Sequence, residues 1–256
     1  MRKTLMILAL LVFVLPLSAY SVNALKSTTV QQKQTSNVQK SATIIKKNQN
    51  LWNKQLRKAD VIHRDGFDSD DGYVGTSMDQ LKNHNKAFIK GTVYNLQKMN
   101  SPKNMAYTKA TIHIDKVLSG DKSLQGKNIY VVFDGGLVSF DHWYANMSKP
   151  KDFDHEMLVK NDEFPLPSIG TKIITGLVPN QLDQPLEYND SLKQSGFTVK
   201  NSYALDVPKY NFWVKKTGTE KYILNNPKVR KKTDSLSKDL QKLTVEINQK
   251  YNSIKK

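Results

Sequence analysis

Two histidines with acidic neighbours are the residues best suited to chemistry: Asp141-His142 and Asp154-His155-Glu156, with the imidazoles thirteen positions apart. Imidazole and carboxylate together ligate zinc or another borderline metal, so a loop folding back on itself would make His142 and His155 a metal pair for water activation. Nothing in the spacing enforces that geometry, and loop histidines equally face water or cap turns. His155-Glu156 is followed by Met157-Leu158-Val159, so the second histidine of a zincin helix is missing. There is no G-x-S-x-G elbow, and the absence of Cys excludes thiolate nucleophiles, disulfides and Cys-zinc sites. Asp68-Ser69-Asp70-Asp71-Gly72 places its glycine fifth rather than sixth, which suits a solvated acidic turn better than a calcium loop. Arg64 is the single arginine between Ala59 and Pro227, a poor supply of clamps for phosphoryl transfer. Carboxylate pairs for glycoside hydrolysis can meet from anywhere in a fold and are not read from spacing. The residues therefore predict no catalytic set, no cofactor and a protein that is not an enzyme. A metal-assisted envelope hydrolase using His142 and His155 is the alternative.

Binding chemistry is better supplied. Phe140, Trp143, Tyr144, Phe153 and Phe164 crowd the segment between Gly135 and Gly170 in a chain that is only 9% aromatic. Aromatic loops stack sugars, peptides or bases, which makes Phe140, Trp143, Tyr144 and Phe153 a candidate glycan or peptide site. The other reading is a lid whose rings close one end of a barrel. His113 alternates with Ile112 and Ile114 and is expected on the outer, structural face of a strand, while His63 and His84 have no partner pattern.

The elements that must position these residues are mostly strands. Phe88–Tyr94, Ala110–Val117, Ile129–Phe133 and Lys172–Val178 are β-branched or aromatic runs bounded by turn residues. Asn100-Ser101-Pro102 and Ser119-Gly120-Asp121 connect neighbours as antiparallel hairpins. Gly91 and Gly176 sit inside strands, where a missing side chain marks a bulge or barrel corner. The expected class is mainly β: an OB-like antiparallel barrel with a short N-terminal helix and a long C-terminal amphipathic helix. The short helix starts at the capping box Ser77-Met78-Asp79-Gln80 and runs to about Asn85. Phe197–Val199, Tyr203–Leu205, Asn211–Val214 and Lys221–Leu224 read as further strands, the last two as a hairpin. After Asn226-Pro227 come Leu236, Leu240, Leu243, Ile247, Tyr251 and Ile254 in steps of four and three, one apolar stripe on a helix about 40 Å long. That stripe is expected to dock on the domain's own sheet and leave a monomer, with assembly through this helix, or its contact with a membrane surface, as the alternatives.

The series Gly91-Thr92-Val93, then Ile114-Asp115-Lys116-Val117-Leu118-Ser119-Gly120-Asp121, then Gly126, Ile129, Gly135-Gly136 and Gly170 resembles a small, uncharacterised secreted domain of Gram-positive bacteria. That domain runs strand-G-x-V, V-x-K-V-L-K-G-D, G-x-x-I-x-V and a double glycine. The resemblance spans about Ala87 to Val178 and implies an OB-like barrel. Ser119 stands where the pattern has lysine, and Gly135 to Gly170 is a long insertion. It implies no catalytic residues.

Charge divides the chain. Lys26 to Lys58 holds eight basic residues and no acid, Lys228 to Lys256 nine basic and three acidic, and Ala59 to Pro227 twenty of each. Two cationic ends flanking a neutral body predict attraction to an anionic polymer. Lysine outnumbers arginine, so diffuse counter-ion attraction is expected rather than specific nucleic-acid recognition. The candidate polyanion contacts are Lys33, Lys40, Lys46, Lys47, Lys54, Arg57, Lys58, Arg230, Lys231 and Lys232. Arg2-Lys3, the apolar run Leu5 to Leu15, Pro16 and Val22-Asn23-Ala24 read as a secretory signal peptide over 1–24. Residues 25–50 read as a disordered basic spacer, 51–227 as the β domain with its insertion at 135–170, and 228–256 as the basic helix. The expected mature protein has no transmembrane segment. It is exported and held at the cell wall by anionic envelope polymers.

Overall fold

The structure is a computed structural model, and it describes residues 39–65, 72–152 and 154–252. The chain divides into two units, Met1–Lys46 and Lys47–Lys256. In the first, the described residues 39–46 are helical. The second opens with helical residues 47–56 (α1). Helix through residue 50 corrects the expectation of a disordered spacer there. In α1, Asn48, Gln49, Trp52 and Leu56 fall on one face, and that face carries the buried and half-buried positions. The Asn48 carboxamide donates to the Tyr94 carbonyl at 2.9 Å, and Gln49 to Ile169 at 2.7 Å, so polar side chains anchor a helix short of apolar ones. The signal segment and residues 25–38 lie outside the described residues.

The chain is mainly β. β2 (Ala87–Lys98), β3 (Tyr107–Gly120) and β4 (Asn128–Asp134) form the two expected hairpins, and β7 (Lys172–Pro179) pairs antiparallel with the other edge of β2. β9 (Phe212–Lys215) and β8 (Tyr203–Leu205) both pair with β7, and β10 (Ile223–Leu224) pairs with β9, which makes seven strands in one sheet. β3 and β4 alternate, with Ala110, Ile112, Ile129, Val131 and Phe133 inward, because each has one face in solvent. β2 is buried from Ala87 to Val93 except at half-buried Lys90, and β7 from Ile173 to Leu177, so both faces of these strands are covered over that stretch. Gly91 sits at a register shift against β3, where a Cβ would lie 2.9 Å from the His113 carbonyl oxygen.

The second face of β2 and β7 is covered by helices. α2 (Met78–His84) has the predicted capping box, Ser77 against Gln80. The C-terminal helix is shorter than expected: α5 (Pro227–Lys231) ends in extended Lys232, and Asp234 caps a new helix, α6 (Ser235–Tyr251), about 25 Å long. Two caps in close succession break what the stripe alone presents as one helix. Leu240, Leu243 and Ile247 of α6 pack with Phe88, Ile174 and Trp213, so the stripe docks on the chain's own sheet. Phe197–Val199 forms a turn instead of a strand. Phe197 is buried there against Met99, Leu182 and Leu192, the last from α4 (Glu187–Gln194).

The 135–170 insertion builds a second sheet. Gly135 and Gly136, at φ 96° and 124°, turn the chain out of β4, and a Cβ on Gly135 would lie 2.8 Å from the Val159 carbonyl oxygen. β5 (Gly136–Ser139) pairs antiparallel with β6 (Glu156–Asn161), and β1 (Ala59–Arg64) pairs parallel with the other edge of β6. A single helical turn, α3 (Phe140–Trp143), sits between β5 and β6. No helix among the described residues is long and apolar enough to cross a membrane.

Candidate functional site

The predicted aromatic and histidine residues are distributed along α3 and its surroundings rather than gathered around an open pocket. Phe140 and Trp143 pack on Ala106, Val138, Met157 and Val159. The Phe140 ring stacks on His155 at 5.3 Å and tilts against Tyr144 at 4.7 Å, while the Arg64 guanidinium lies 5.8 Å from the Trp143 ring centre. Phe164 is buried in a triad with Phe133 and Phe212, each ring centre between 5.2 and 5.6 Å from the next. Phe153 lies outside the described residues. The two histidines have different partners: His142 Nε2 is 2.9 Å from the Pro102 carbonyl oxygen, and His155 Nε2 is 2.8 Å from Asp60, with Asp152 3.3 Å from its Nδ1. Among the described residues no three His, Asp or Glu side chains converge as a metal site requires.

A cleft of about 430 Å³ opens instead between α1, β6 and the loop that follows β6. Trp52 and Leu56 of α1, Leu96 of β2, Leu158 of β6, and Leu166 and Ile169 of the loop supply its apolar wall. Pro165 and Pro167 stiffen that loop around Leu166. Its floor is polar and internally paired. Asp134 forms an ion pair with Arg64 and accepts from the Asn161 carboxamide at 2.7 Å, and Asn161 Oδ1 takes the N–H groups of Glu163 and Phe164 at 3.0 and 2.9 Å. Asp162 lies 2.7 Å from His63 Nδ1. Burial holds the Arg64 guanidinium below its ordinary range and pushes the neighbouring Tyr107 hydroxyl above its own. With its acids already engaged, the cleft offers shape and apolar surface, the chemistry of binding a flat or aliphatic group.

The predicted cationic residues sit on or beside the two helices that reach this cleft but do not line it, and Arg230 lines a separate hollow with Val229, Leu240 and Thr244. Lys47, Lys54, Arg57 and Lys58 lie on or just beyond α1, and Arg230, Lys231 and Lys232 on or just beyond α5; all are exposed, and none is in an ion pair among the described residues. Asn53 and Leu56 line the cleft from one side and Pro227, the first residue of α5, from another. Lys40 and Lys46, in the first unit, are exposed, and Lys33 lies outside the described residues. The sequence reading places the start of the domain at residue 51, beside Trp52 and Leu56, and does not single out Leu158, Asn161, Leu166 or Ile169. Proline on both sides of Leu166 was the readable signal for a rigid apolar loop. Of the protein families, curated proteins and solved structures compared with this chain, none matches it.

Proposed function

We propose that this is an exported, non-enzymatic binding protein of a Gram-positive cell surface, held on anionic envelope polymers by its two basic segments. The observation that carries this reading is the convergence of α1 and α5 on one cleft. α1 reaches it through Gln49, Trp52, Asn53 and Leu56 and α5 through Pro227, so basic segments about 170 positions apart in sequence start from one cleft, with their charges in solvent. Several exposed cations on two neighbouring segments attract a polyanion by counter-ion release without needing a geometric match to each phosphate.

The scaffold is read as an OB-like barrel. β2 pairs with β3, β3 with β4, β7 with β2, and β8 with β7. The circuit is joined by a parallel bridge between Tyr130 of β4 and Ser202, just before β8, with the Tyr130 N–H donating to the Asn201 carbonyl at 2.7 Å. A five-strand circuit joined in this order supports a partly open Greek-key barrel of the OB type. The 135–170 insertion lies between its third and fourth strands, and Phe164 packs on Phe133 near the end of β4 and Phe212 at the start of β9, which favours the lid reading of that aromatic.

The test is release of the protein from isolated Gram-positive walls. Wild-type protein is expected to elute as salt rises, and a variant with Lys54→Gln, Arg57→Gln and Lys58→Gln together with Arg230→Gln, Lys231→Gln and Lys232→Gln to elute at much lower salt. Retention unchanged in that variant would remove the reading.

A further inference from the structure

Strand register gathers four lysines on one face of the large sheet, within the body whose overall charge is balanced. Lys90 on β2 stands opposite Lys116 on β3, and Lys172 on β7 stands opposite Thr92 of β2 on one side and Lys215 of β9 on the other. Like charges directly opposed destabilise a sheet, and here two such pairs lie side by side. The carboxylate among them is Asp115, brought in by the irregular register of β3: it accepts from Thr92 Oγ1 at 2.7 Å and from Lys172 Nζ at 3.0 Å. Lys172 also donates to Thr92 Oγ1 at 2.6 Å.

Part of the cluster has a structural task. Lys90 donates to the Tyr251 carbonyl at 3.2 Å and Lys215 to Asn252 Oδ1 at 2.7 Å, placing positive charge at the C-terminal end of α6, where the helix dipole favours it. Helix capping does not account for Lys116 and Lys172, which are exposed and make no hydrogen bond or ion pair to α6 among the described residues. Burial lowers the pKa of Lys90; Asp115 opposes the shift, and Lys172, Lys215 and Lys116 add to it, so the three other ammonium groups act on this one. One carboxylate compensates only part of this charge, and a local rule broken in a well-packed sheet is where a functional site is expected.

We propose that this face is a second anion site, separate from the helix-borne cations, that takes the oxyanion of a phosphate ester. Lys116 and Lys172 are its exposed ligands, and half-buried Lys90 and Lys215 provide the field behind them. Lysine ammonium groups on flexible stems act as point charges and bind phosphate oxygens without the fixed fork geometry of arginine.

Calorimetric titration of the full chain at about 50 mM salt with inorganic pyrophosphate and with a synthetic poly(glycerol phosphate) tests this. Lys116→Gln with Lys172→Gln is expected to weaken binding at least about tenfold. Lys116→Gln alone, which removes the charge opposed to Lys90, is expected to leave Tm equal to or above that of the wild type. Arg57→Gln with Arg230→Gln, which weakens the helix-borne set, is expected to leave pyrophosphate affinity unchanged; the two proposals therefore fail separately. Binding of both probes assigns the site to the phosphate group itself, whether anhydride or ester, and binding of the polymer alone assigns it to a polymer-borne phosphodiester. In wild-type protein, whichever probe binds is expected to protect Lys116 and Lys172 from chemical acetylation, a readout that does not depend on the variant folding. No binding of either probe, equal affinity in the double glutamine variant, or no protection would overturn the proposal.

Discussion

Asn211 and Asn248 each use one carboxamide to pair both backbone groups of a residue far away in sequence. Asn211, 1% exposed, accepts from the Gly75 N–H at 2.9 Å and donates to its carbonyl at 2.8 Å. Asn248 of α6 does the same for Tyr222, at 2.8 Å in both directions. An amide side chain thus replaces a strand neighbour where the sheet runs out, meeting the requirement that buried backbone groups be paired. Asn211→Ala is expected to cost about 3 kcal/mol in urea unfolding, because it strands two buried backbone groups at once. Tyr188 gives a pH signature. Burial, with a contribution from Tyr107, pushes its hydroxyl up to about 12 from an ordinary value of 10.0. Above pH 10 the unfolded chain loses this proton while the folded chain keeps it. The stability present below pH 10 is therefore lost as pH rises toward 12, by about 2 kcal/mol. Tyr188→Phe is expected to flatten that part of the stability–pH curve, measured by denaturant unfolding at each pH.

At the scale of elements, α6 carries the largest apolar commitment outside the sheet. Leu240, Leu243 and Ile247 are at most 2% exposed and lie over Trp213, whose indole N–H donates to Thr244 Oγ1 at 2.8 Å. Burying three aliphatic side chains stabilises the docked helix by about 5 kcal/mol or more. Leu243→Ala is expected to lower unfolding free energy by about 3 kcal/mol with unchanged secondary structure by circular dichroism. β2, β3, β4 and β7 were legible because each has a full β-branched run with its own turn residues, and α2 because a capping box is a local signal. β1, β5 and β6 were not. The runs Ala59–Arg64 and Gly136–Ser139 are short and hold few apolar residues, and β1 becomes a strand only by pairing with β6 across nearly a hundred positions of chain, while β5 pairs with β6 across the intervening α3 loop. The break between α5 and α6 was missed for the opposite reason: a continuous apolar stripe conceals a local stop that Asp234 imposes.

For the molecule as a whole, the proposed role depends on where the cations stand, not on how many there are. On walls, the logarithm of retention of the wild-type protein is expected to fall linearly with the logarithm of salt, and replacing three of the helix-borne cations to reduce that slope by about three. The balanced middle of the sequence conceals a strongly basic sheet face, because a net charge averages over residues that tertiary structure separates or brings together. By itself the sequence determined the mainly β class, the positions of the main strands, the N-terminal cap of α2 and the apolar stripe of α6. Each of these is written in periodicity or capping within a few residues, where the physics is local. Only the tertiary structure decided that α1 and α5 share a cleft, that His142 and His155 have separate partners, and that four lysines face one aspartate. These follow from strand register and long-range packing, in which a shift of one residue would send every side chain to the opposite face.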